Sequence, residues 1–230
     1  MGFMLLMKWD KLPLEIRKDA VRPYYDVLAS KKIQLFIKRC IDILLSFFAL
    51  VFALPFFIII SIIIKIDSKG PVLFKQERVG FNGKKFKILK FRTMVVNAES
   101  LGTQITVGND PRVTKAGRIL RAAKADELPQ LINILIGQMS FIGTRPEVEK
   151  YVVKYTDEMY ATLIMRPGLS SVASVKFKDE NNMVSSDNVE ELYVNTILPQ
   201  KMEHNLSYIK NFKITDDFKI VFQTLFSFFN

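Results

Sequence analysis

The sequence predicts an α+β fold, mostly helical with a small β-hairpin, attached to an apolar segment suited to a membrane. Three observations carry this prediction. Ile43–Ile64 (ILLSFFALVFALPFFIIISIII) contains no charged residue and is dominated by Phe and Ile. Val72–Val79 and Lys85–Arg92 read as two strands joined across Asn82-Gly83, a strong hairpin turn signal. Leu128–Ile136 is an apolar helix with Pro129 in its first turn and Gly137 just past its end, the usual placement of both residues.

Composition bounds the function. A chain of 230 residues suggests one domain with room for an appendage. With 49% hydrophobic and 24% charged residues it can bury a core, which excludes an intrinsically disordered chain. Thirty-three basic against 23 acidic residues give +10, a surplus that favours anionic partners such as phosphates, acidic headgroups or nucleic acid. Cys40 is the only cysteine, so intrachain disulfides and cysteine-rich zinc sites are excluded. His204 is the only histidine, which removes Ser-His-Asp triads and multi-histidine metal sites. Catalysis must rest on carboxylates, hydroxyls and cations.

The chain divides into three parts. Residues 1–32 mix apolar residues with Lys8, Lys11, Arg17, Lys18, Arg22, Lys31 and Lys32, which suits an interfacial segment on an anionic leaflet. A loosely packed solvated arm is the alternative. Residues 33–67 are the membrane-embedded part. At about 1.5 Å per residue the uncharged run is long enough for a hydrocarbon core of roughly 30 Å. It starts too far into the chain for a cleavable signal peptide, and no small-residue cleavage site follows. Pro55, near its middle, removes one backbone hydrogen bond and bends the helix. Lys38 and Arg39 flank one end, Lys65 and Lys69 the other. A spanning helix normally has its basic residues on one side, whereas two basic flanks suit a kinked hairpin that enters and leaves by the same face. On the residues alone both forms stay open.

Residues 68–230 read as a globular domain. After the hairpin, Val95–Leu101 is expected as a short helix, Thr103–Asp110 as a loop, and Asp110-Pro111 as the opening of a helical stretch through Arg121. Helices are also expected over Glu147–Met165, Val189–Asn211 and Asp216–Phe229. The last is rich in Phe, which suits core packing or a helix lying among lipid headgroups.

The stretch most informative about chemistry is Arg118-Ile-Leu-Arg121-Ala-Ala-Lys124-Ala-Asp126-Glu127-Leu-Pro129. Two adjacent carboxylates precede a helix start, with three cations a few residues away. A carboxylate kept ionised beside cations can bind a divalent metal or attack an electrophile. Metal and cations together can neutralise a diphosphate. An ordinary helix cap with solvated neighbours is the plainer reading. Arg145 in Gly143-Thr-Arg-Pro146 and Arg166 in Arg-Pro-Gly168 lie in rigid turns that suit phosphate contact. The Lys84–Arg92 run allows a nucleic-acid patch or a solvated strand face, with Phe86, Ile88 and Phe91 on the core side.

The order of these pieces strongly resembles the bacterial sugar transferases, the monotopic polyprenol-phosphate phosphoglycosyl transferases. The residues that carry the resemblance begin with the basic-flanked apolar segment and its central proline, followed by Gly70-Pro71-Val-Leu-Phe-Lys-Gln76-Glu77-Arg78-Val-Gly80. Lys90-Phe91-Arg92-Thr93-Met94, Asp126-Glu127-Leu128-Pro129-Gln130-Leu131, Arg145-Pro146 and Arg166-Pro167-Gly168 complete it. The match covers about residues 33–228. The chain departs from the common pattern at Leu54 before Pro55, at Thr144 before Arg145-Pro146, and in the Leu169–Val175 stretch. It looks like the minimal form, without the additional membrane helices of larger members.

The resemblance implies transfer of a sugar 1-phosphate from a UDP-sugar to polyprenol phosphate, in practice undecaprenyl phosphate, with release of UMP. Asp126 would be the nucleophile that forms a covalent phosphosugar intermediate. Glu127 would support it, by binding metal or handling the acceptor's proton. A magnesium ion (Mg2+) is implied on Asp126 and Glu127. Arg121, Arg145, Lys90, Arg92, Arg118 and Arg166 are the expected substrate-binding cations. The resemblance favours a re-entrant membrane helix hairpin in the bilayer of the bacterial inner membrane, with interfacial amphipathic helices and the catalytic domain on the cytoplasmic face. It leaves a homodimer open. It points to the first membrane step of capsule, exopolysaccharide, O-antigen or glycoprotein glycan synthesis. A catalytically silent, membrane-anchored assembly partner is the alternative. No recognised motif supports nucleic acid as a partner.

Overall fold

The computed structural model describes residues 5–98, 110–177 and 189–226. The N-terminal arm leads into helix α1 (Arg22–Ser30). Its apolar residues Leu12, Ile16, Val21, Tyr24 and Leu28 are all buried, while Lys8, Lys11 and Arg17 face outward. They pack in one core with Leu198, Met202, Leu206 and Ile209 from later in the chain. The arm is thus part of the domain's largest core rather than a loose, solvated extension.

Helix α2 (Lys32–Asp67) follows and remains helical across Pro55. Its two apolar-run serines keep their hydroxyls satisfied within the helix: Ser46 Oγ donates to the Ile43 carbonyl and Ser61 Oγ to that of Phe57. One face lies on the domain. Leu35, Lys38, Arg39, Asp42 and Ser46 are buried at one end and Ile64 at the other, with Ala49, Leu50, Phe57 and Ile60 packed between. The opposite face, including Phe48, Phe52, Phe56, Ile59, Ile63 and Ile66, is bare.

Strands β1 (Leu73–Val79) and β2 (Lys85–Phe91) form the expected antiparallel hairpin, with Leu73 opposite Phe91 and Val79 opposite Lys85. Asn82 and Gly83 turn the chain with φ of 57° and 72°, the left-handed values their residue types tolerate. The sequence expectation fails next. Met94 pairs with Val113 in an isolated bridge, and Asn97 has φ of 64°, so residues 95–97 are not helical and 3-10 geometry appears only at Ala98; the rest of the expected Val95–Leu101 helix lies outside the described residues. Val95 N–H donates to the Arg112 carbonyl and Thr114 N–H to that of Thr93. Residues 111–112 form a turn, with Val113 N–H on the Asp110 carbonyl, and Val113 pairs with Met94, so helix α3 (Lys115–Ala122) begins later than expected, capped by Thr114 Oγ1 on the Gly117 N–H. Residues 103–109 of the expected loop are outside the described residues.

Helix α4 (Gln130–Leu135) ends before Gly137, whose φ of 86° suits a helix C-terminus. Strand β3 (Ser140–Ile142) then pairs in parallel with β4 (Gly168–Ser170), a second small sheet that three-residue strands do not announce in sequence. Between them the single expected helix is broken into α5 (Glu149–Val152) and a 3-10 turn, Met159–Ile164. Ala161, Thr162, Leu163 and Ile164 are all buried, which a one-faced helix cannot achieve. The arm holds the break, through Lys18 on Asp157 and Tyr24 Oη on Glu158 Oε1 at 2.6 Å. After α6 (Val172–Lys176), the stretch α7 (Val189–Leu192), a π-helical turn (Tyr193–Ile197) and α8 (Leu198–Lys210) realises the predicted helical region. Helix α9 (Ile214–Phe226) closes the described chain. Residues 227–229 of the expected last helix lie beyond it.

Candidate active site

The carboxylate pair is delivered by a sharp reversal between two helices. After α3, Lys124 adopts φ 49° and ψ 21°, a left-handed conformation that costs a non-glycine residue about 1 kcal/mol. A 3-10 turn, Ala125–Glu127, follows directly. Its three-fold repeat sends consecutive side chains in different directions. Helix α4 is only six residues long, so the charges around the pair come from side chains rather than from a helix dipole.

Glu127 is held on one oxygen. Lys90 Nζ donates to Glu127 Oε1 at 2.7 Å and Arg145 Nη2 to the same oxygen at 2.6 Å. Lys90 arrives by strand periodicity: it shares the face of Phe86 and Ile88, which pack against Leu131 and Ile134 of α4. Arg145 comes from the loop after β3. Burial alone would raise the Glu127 carboxyl, but the neighbouring charges of Arg145 and Lys90 and their hydrogen bonds outweigh it, holding the group well below the usual carboxylate range.

Asp126 is the opposite case. It is only 9% exposed, and among the described residues none hydrogen-bonds to its carboxylate. Burial pushes its pKa up and the Glu127 charge adds to this, against the opposing fields of Lys90, Arg121 and Arg145. Arg121 is fixed by its Nε on Thr93 Oγ1 at 2.8 Å. Burial lowers the Arg121 pKa, and the Asp126 charge works against that shift. The α3 backbone reaches Thr93 closely because residue 117 is glycine; a Cβ there would overlap the Thr93 carbonyl.

The structure therefore gathers Asp126, Glu127, Lys90, Arg121 and Arg145. It does not gather the other three predicted cations. Arg92 is buried and donates to the carbonyls of Ser68 and Lys69, which clamps the chain just past the end of α2. Arg166 donates from Nε to the Gly137 carbonyl at 3.0 Å and lies over the Phe81 ring, beside Arg39 rather than the carboxylates. Burial, with the Arg39 charge, lowers its pKa to about 10. Arg118 stands exposed on α3, with no contact to the pair among the described residues. Sequence reasoning missed Thr93 and the buried group Arg78, Glu147 and Tyr193 behind Arg145. Strand alternation alone could have separated Arg78 from the solvated face of β1. Tyr193 leaves no local signal, since only the tertiary fold brings it there.

Among the described residues no group of three or more His, Cys, Asp or Glu could enclose a metal ion. Asp126 and Glu127 are two carboxylates adjacent in sequence.

Comparison with known proteins identifies the chain's relatives. Residues 33–230 match the family model described as bacterial sugar transferase. The chain is 38% identical over 202 residues to the UDP-N-acetylgalactosamine-undecaprenyl-phosphate N-acetylgalactosaminephosphotransferase of Aeromonas hydrophila, covering 86% of this chain and 45% of that protein. It is 34% identical to the UDP-glucose:undecaprenyl-phosphate glucose-1-phosphate transferase of Klebsiella pneumoniae, covering 94% and 44%. The chain thus spans less than half the length of these two relatives. It is 37% identical to the exopolysaccharide production protein PSS of Rhizobium leguminosarum bv. phaseoli, covering 84% of this chain and 95% of that protein. The chain belongs to the bacterial sugar transferase family.

Proposed function

We propose that this chain transfers a sugar 1-phosphate from a UDP-sugar to a polyprenol phosphate, releasing UMP, as an early membrane step of glycan assembly. The observation that carries the reading is the division of labour between adjacent carboxylates. Glu127 is tied down by two cations, while Asp126 is buried, accepts no hydrogen bond from the described residues, and feels the charges of Lys90, Arg121 and Arg145.

In this reaction an Asp126 oxygen attacks the sugar-linked phosphorus of the donor. The bond from that phosphorus to the bridging oxygen breaks, and UMP leaves with the electron pair. An oxygen of the polyprenol phosphate then attacks the same phosphorus, the aspartyl–phosphorus bond breaks, and Asp126 is restored. Lys90, Arg121 and Arg145 offset the negative charge of nucleophile and diphosphate in a site where burial strengthens each interaction. Glu127 is a poor proton acceptor because its carboxyl is held far into the ionised range. This supports a role in holding cations over handling the acceptor's proton.

The donor set fits a magnesium ion. Lys90 and Arg145 both use Glu127 Oε1, so Oε2 and the Asp126 carboxylate have no described partner. One or two carboxylates plus substrate phosphate oxygens are the usual protein share of such a site. Asp126 and Glu127 would hold the ion, which when bound supplies further neutralisation of the diphosphate.

The seating of α2 supports the re-entrant form. Near its start, Arg39 donates to the carbonyls of Ile134 and Leu135, and Asp42 accepts from Ser140 Oγ and the Phe141 N–H. Near its end, Asp67 Oδ2 accepts from the Ala116 N–H. Both ends are thus bonded to a single domain. A spanning helix would place these two attachments on opposite sides of the hydrocarbon core, where a single domain cannot bond to both. The bare apolar face, with Phe218, Phe222 and Phe226 exposed on α9, supports a domain resting on the cytoplasmic leaflet of the inner membrane with α9 among the headgroups.

The test is nucleotide release by the full chain in detergent, with magnesium, undecaprenyl phosphate and a panel of UDP-sugars. UMP from one donor, lost in Asp126→Asn, is the expected result. UDP as product means ordinary glycosyl transfer and overturns the reading. Silence with every donor favours the assembly partner.

A further inference from the structure

The geometry points to Arg78, Glu147 and Tyr193 as a buried positioning network that aims Arg145 at Glu127 and at the substrate diphosphate. This inference rests on the reaction proposed above.

Arg145 lies in an irregular stretch, residues 144–148, that has no helix or strand to fix it. A guanidinium on a long side chain is useful to a diphosphate only if its backbone is held. The structure holds it on both sides. Upstream, the Thr144 carbonyl accepts from the Gly168 N–H at 2.9 Å, and Thr144 Oγ1 donates to the Thr162 carbonyl at 3.1 Å. Downstream, Pro146 has no N–H to give, and its carbonyl accepts from Arg78 Nη1 at 3.1 Å. The Glu147 carbonyl accepts from the Val79 N–H at 2.9 Å. The Glu147 side chain is buried and spans two partners: Oε1 accepts from Tyr193 Oη at 2.7 Å and Oε2 faces Arg78 Nη1 at 3.7 Å. Arg78 is itself pinned, its Nε and Nη2 donating to Gln76 Oε1 at 3.0 and 2.6 Å.

Two features make this more than ordinary loop packing. Arg78 and Arg145 are cations close enough to act on one another, and Glu147 is the carboxylate that most offsets the charge of Arg78. Removing that charge leaves two arginines in repulsion beside Glu127. Tyr193 also begins a π-helical turn, Tyr193–Ile197, between α7 and α8. Such widened turns concentrate at functional sites because they re-aim one side chain without ending the helix. Here the ring packs against Tyr151 at a 45° tilt, with centroids 4.6 Å apart, and its hydroxyl reaches Glu147.

The experiment uses the full chain in detergent with Tyr193→Phe, Glu147→Gln and Arg145→Lys, and the double variant Tyr193→Phe/Arg145→Lys. Turnover is read as UMP release from whichever of UDP-glucose and UDP-N-acetylgalactosamine the native chain accepts, and UDP binding is read separately by calorimetry. Losing a hydrogen bond to a charged group is expected to lower kcat/KM about tenfold in Tyr193→Phe, mainly through a weaker KM, with a matching loss of UDP affinity. The cost should fall to less than about threefold where Arg145 is already lysine, because neighbours that act together are not additive. Glu147→Gln should cost more than Tyr193→Phe. Equal costs in both Arg145 backgrounds, or variants equal to the native chain, overturn the network as a positioning device. A native chain that neither releases UMP nor binds UDP overturns the substrate reading on which it rests.

Discussion

Replacing Asp126 by Asn and Glu127 by Gln removes one negative charge from each of two neighbouring positions, and the two changes are expected to move stability in opposite directions. In Glu127→Gln, Lys90 Nζ and Arg145 Nη2 lose the charge they approach at 2.7 and 2.6 Å. Breaking a fully buried pair costs about 3–5 kcal/mol. Here the Lys90 and Arg145 side chains are 21% and 38% exposed, so water recovers some of that loss. A cost of about 2 kcal/mol is expected, lowering Tm by roughly 4–8 °C for a chain of this size. Asp126 has a raised pKa, so the folded chain binds its proton more tightly than the unfolded one, and its ionised form at neutral pH works against the fold. Asn removes that burden without leaving a described partner unpaired. A gain of about 1 kcal/mol, or roughly 2–4 °C, is expected together with loss of turnover. Both variants are compared with the native chain by scanning fluorimetry in one detergent, at one scan rate, without nucleotide. A fall in Tm for Asp126→Asn comparable to that for Glu127→Gln would mean that Asp126 is a paired structural carboxylate, and the nucleophile argument would collapse.

The same shifts set pH behaviour. Asp126 must be ionised to attack, so single-turnover UMP release should rise with pH through its elevated pKa, and Arg121→Gln should move that limb to higher pH by removing a charge that lowers it; a limb that stays in place refutes the assignment. Glu127, with its depressed pKa, contributes stability above the unfolded carboxyl range that is lost only as pH falls through the folded value, so Glu127→Gln should flatten the acid end of a Tm-against-pH curve. Arg92→Lys should cost about 1–3 kcal/mol of stability by giving up a carbonyl contact at the end of α2, with the donor KM of the folded fraction unchanged; a raised KM would return Arg92 to the substrate. Phe52→Lys places a charge mid-run on the bare face of α2 and should weaken flotation with vesicles, at a cost of about 2.5–3.5 kcal/mol if that face is immersed.

What the sequence disclosed, and what it hid, follows from the range of each interaction. The hairpin was legible because Asn82-Gly83 encodes its own turn, and α4 because Pro129 and Gly137 bound it. The Asp126-Glu127 pair stood out beside Arg121 because the three lie within one short stretch. Lys90 and Arg92 looked alike, being two residues apart and both basic. Strand β2 ends at Phe91, so Lys90 keeps the face of Phe86 and Ile88 while Arg92, past the end, turns to the Ser68 and Lys69 carbonyls just beyond α2. Arg118 and Arg121 are likewise similar in sequence, yet only Arg121 meets a tertiary partner, Thr93. The break in the expected Glu147–Met165 helix depends on Lys18 and Tyr24, more than a hundred residues upstream, and no local pattern can report such contacts.

The contrast between the two carboxylates has a local cause. In the 3-10 turn that carries them, successive side chains diverge by about a third of a circle, so the two carboxylates do not share the same hydrogen-bonding side chains. Glu127 has the longer side chain and reaches the oxygen position where Lys90 and Arg145 converge. Asp126, shorter and turned away, receives the field of these cations but none of their hydrogen bonds. A carboxylate bound by two cations is a good anchor and a poor nucleophile, because its lone pairs are engaged and its basicity is low. One that feels the cations only through space keeps its lone pairs and its basicity. An Asp-Glu order therefore separates the two roles, whereas Glu-Asp in the same turn would project the longer side chain from the open position and leave the shorter one short of the cations. The charge balance of the site, and not just its charge count, depends on that order.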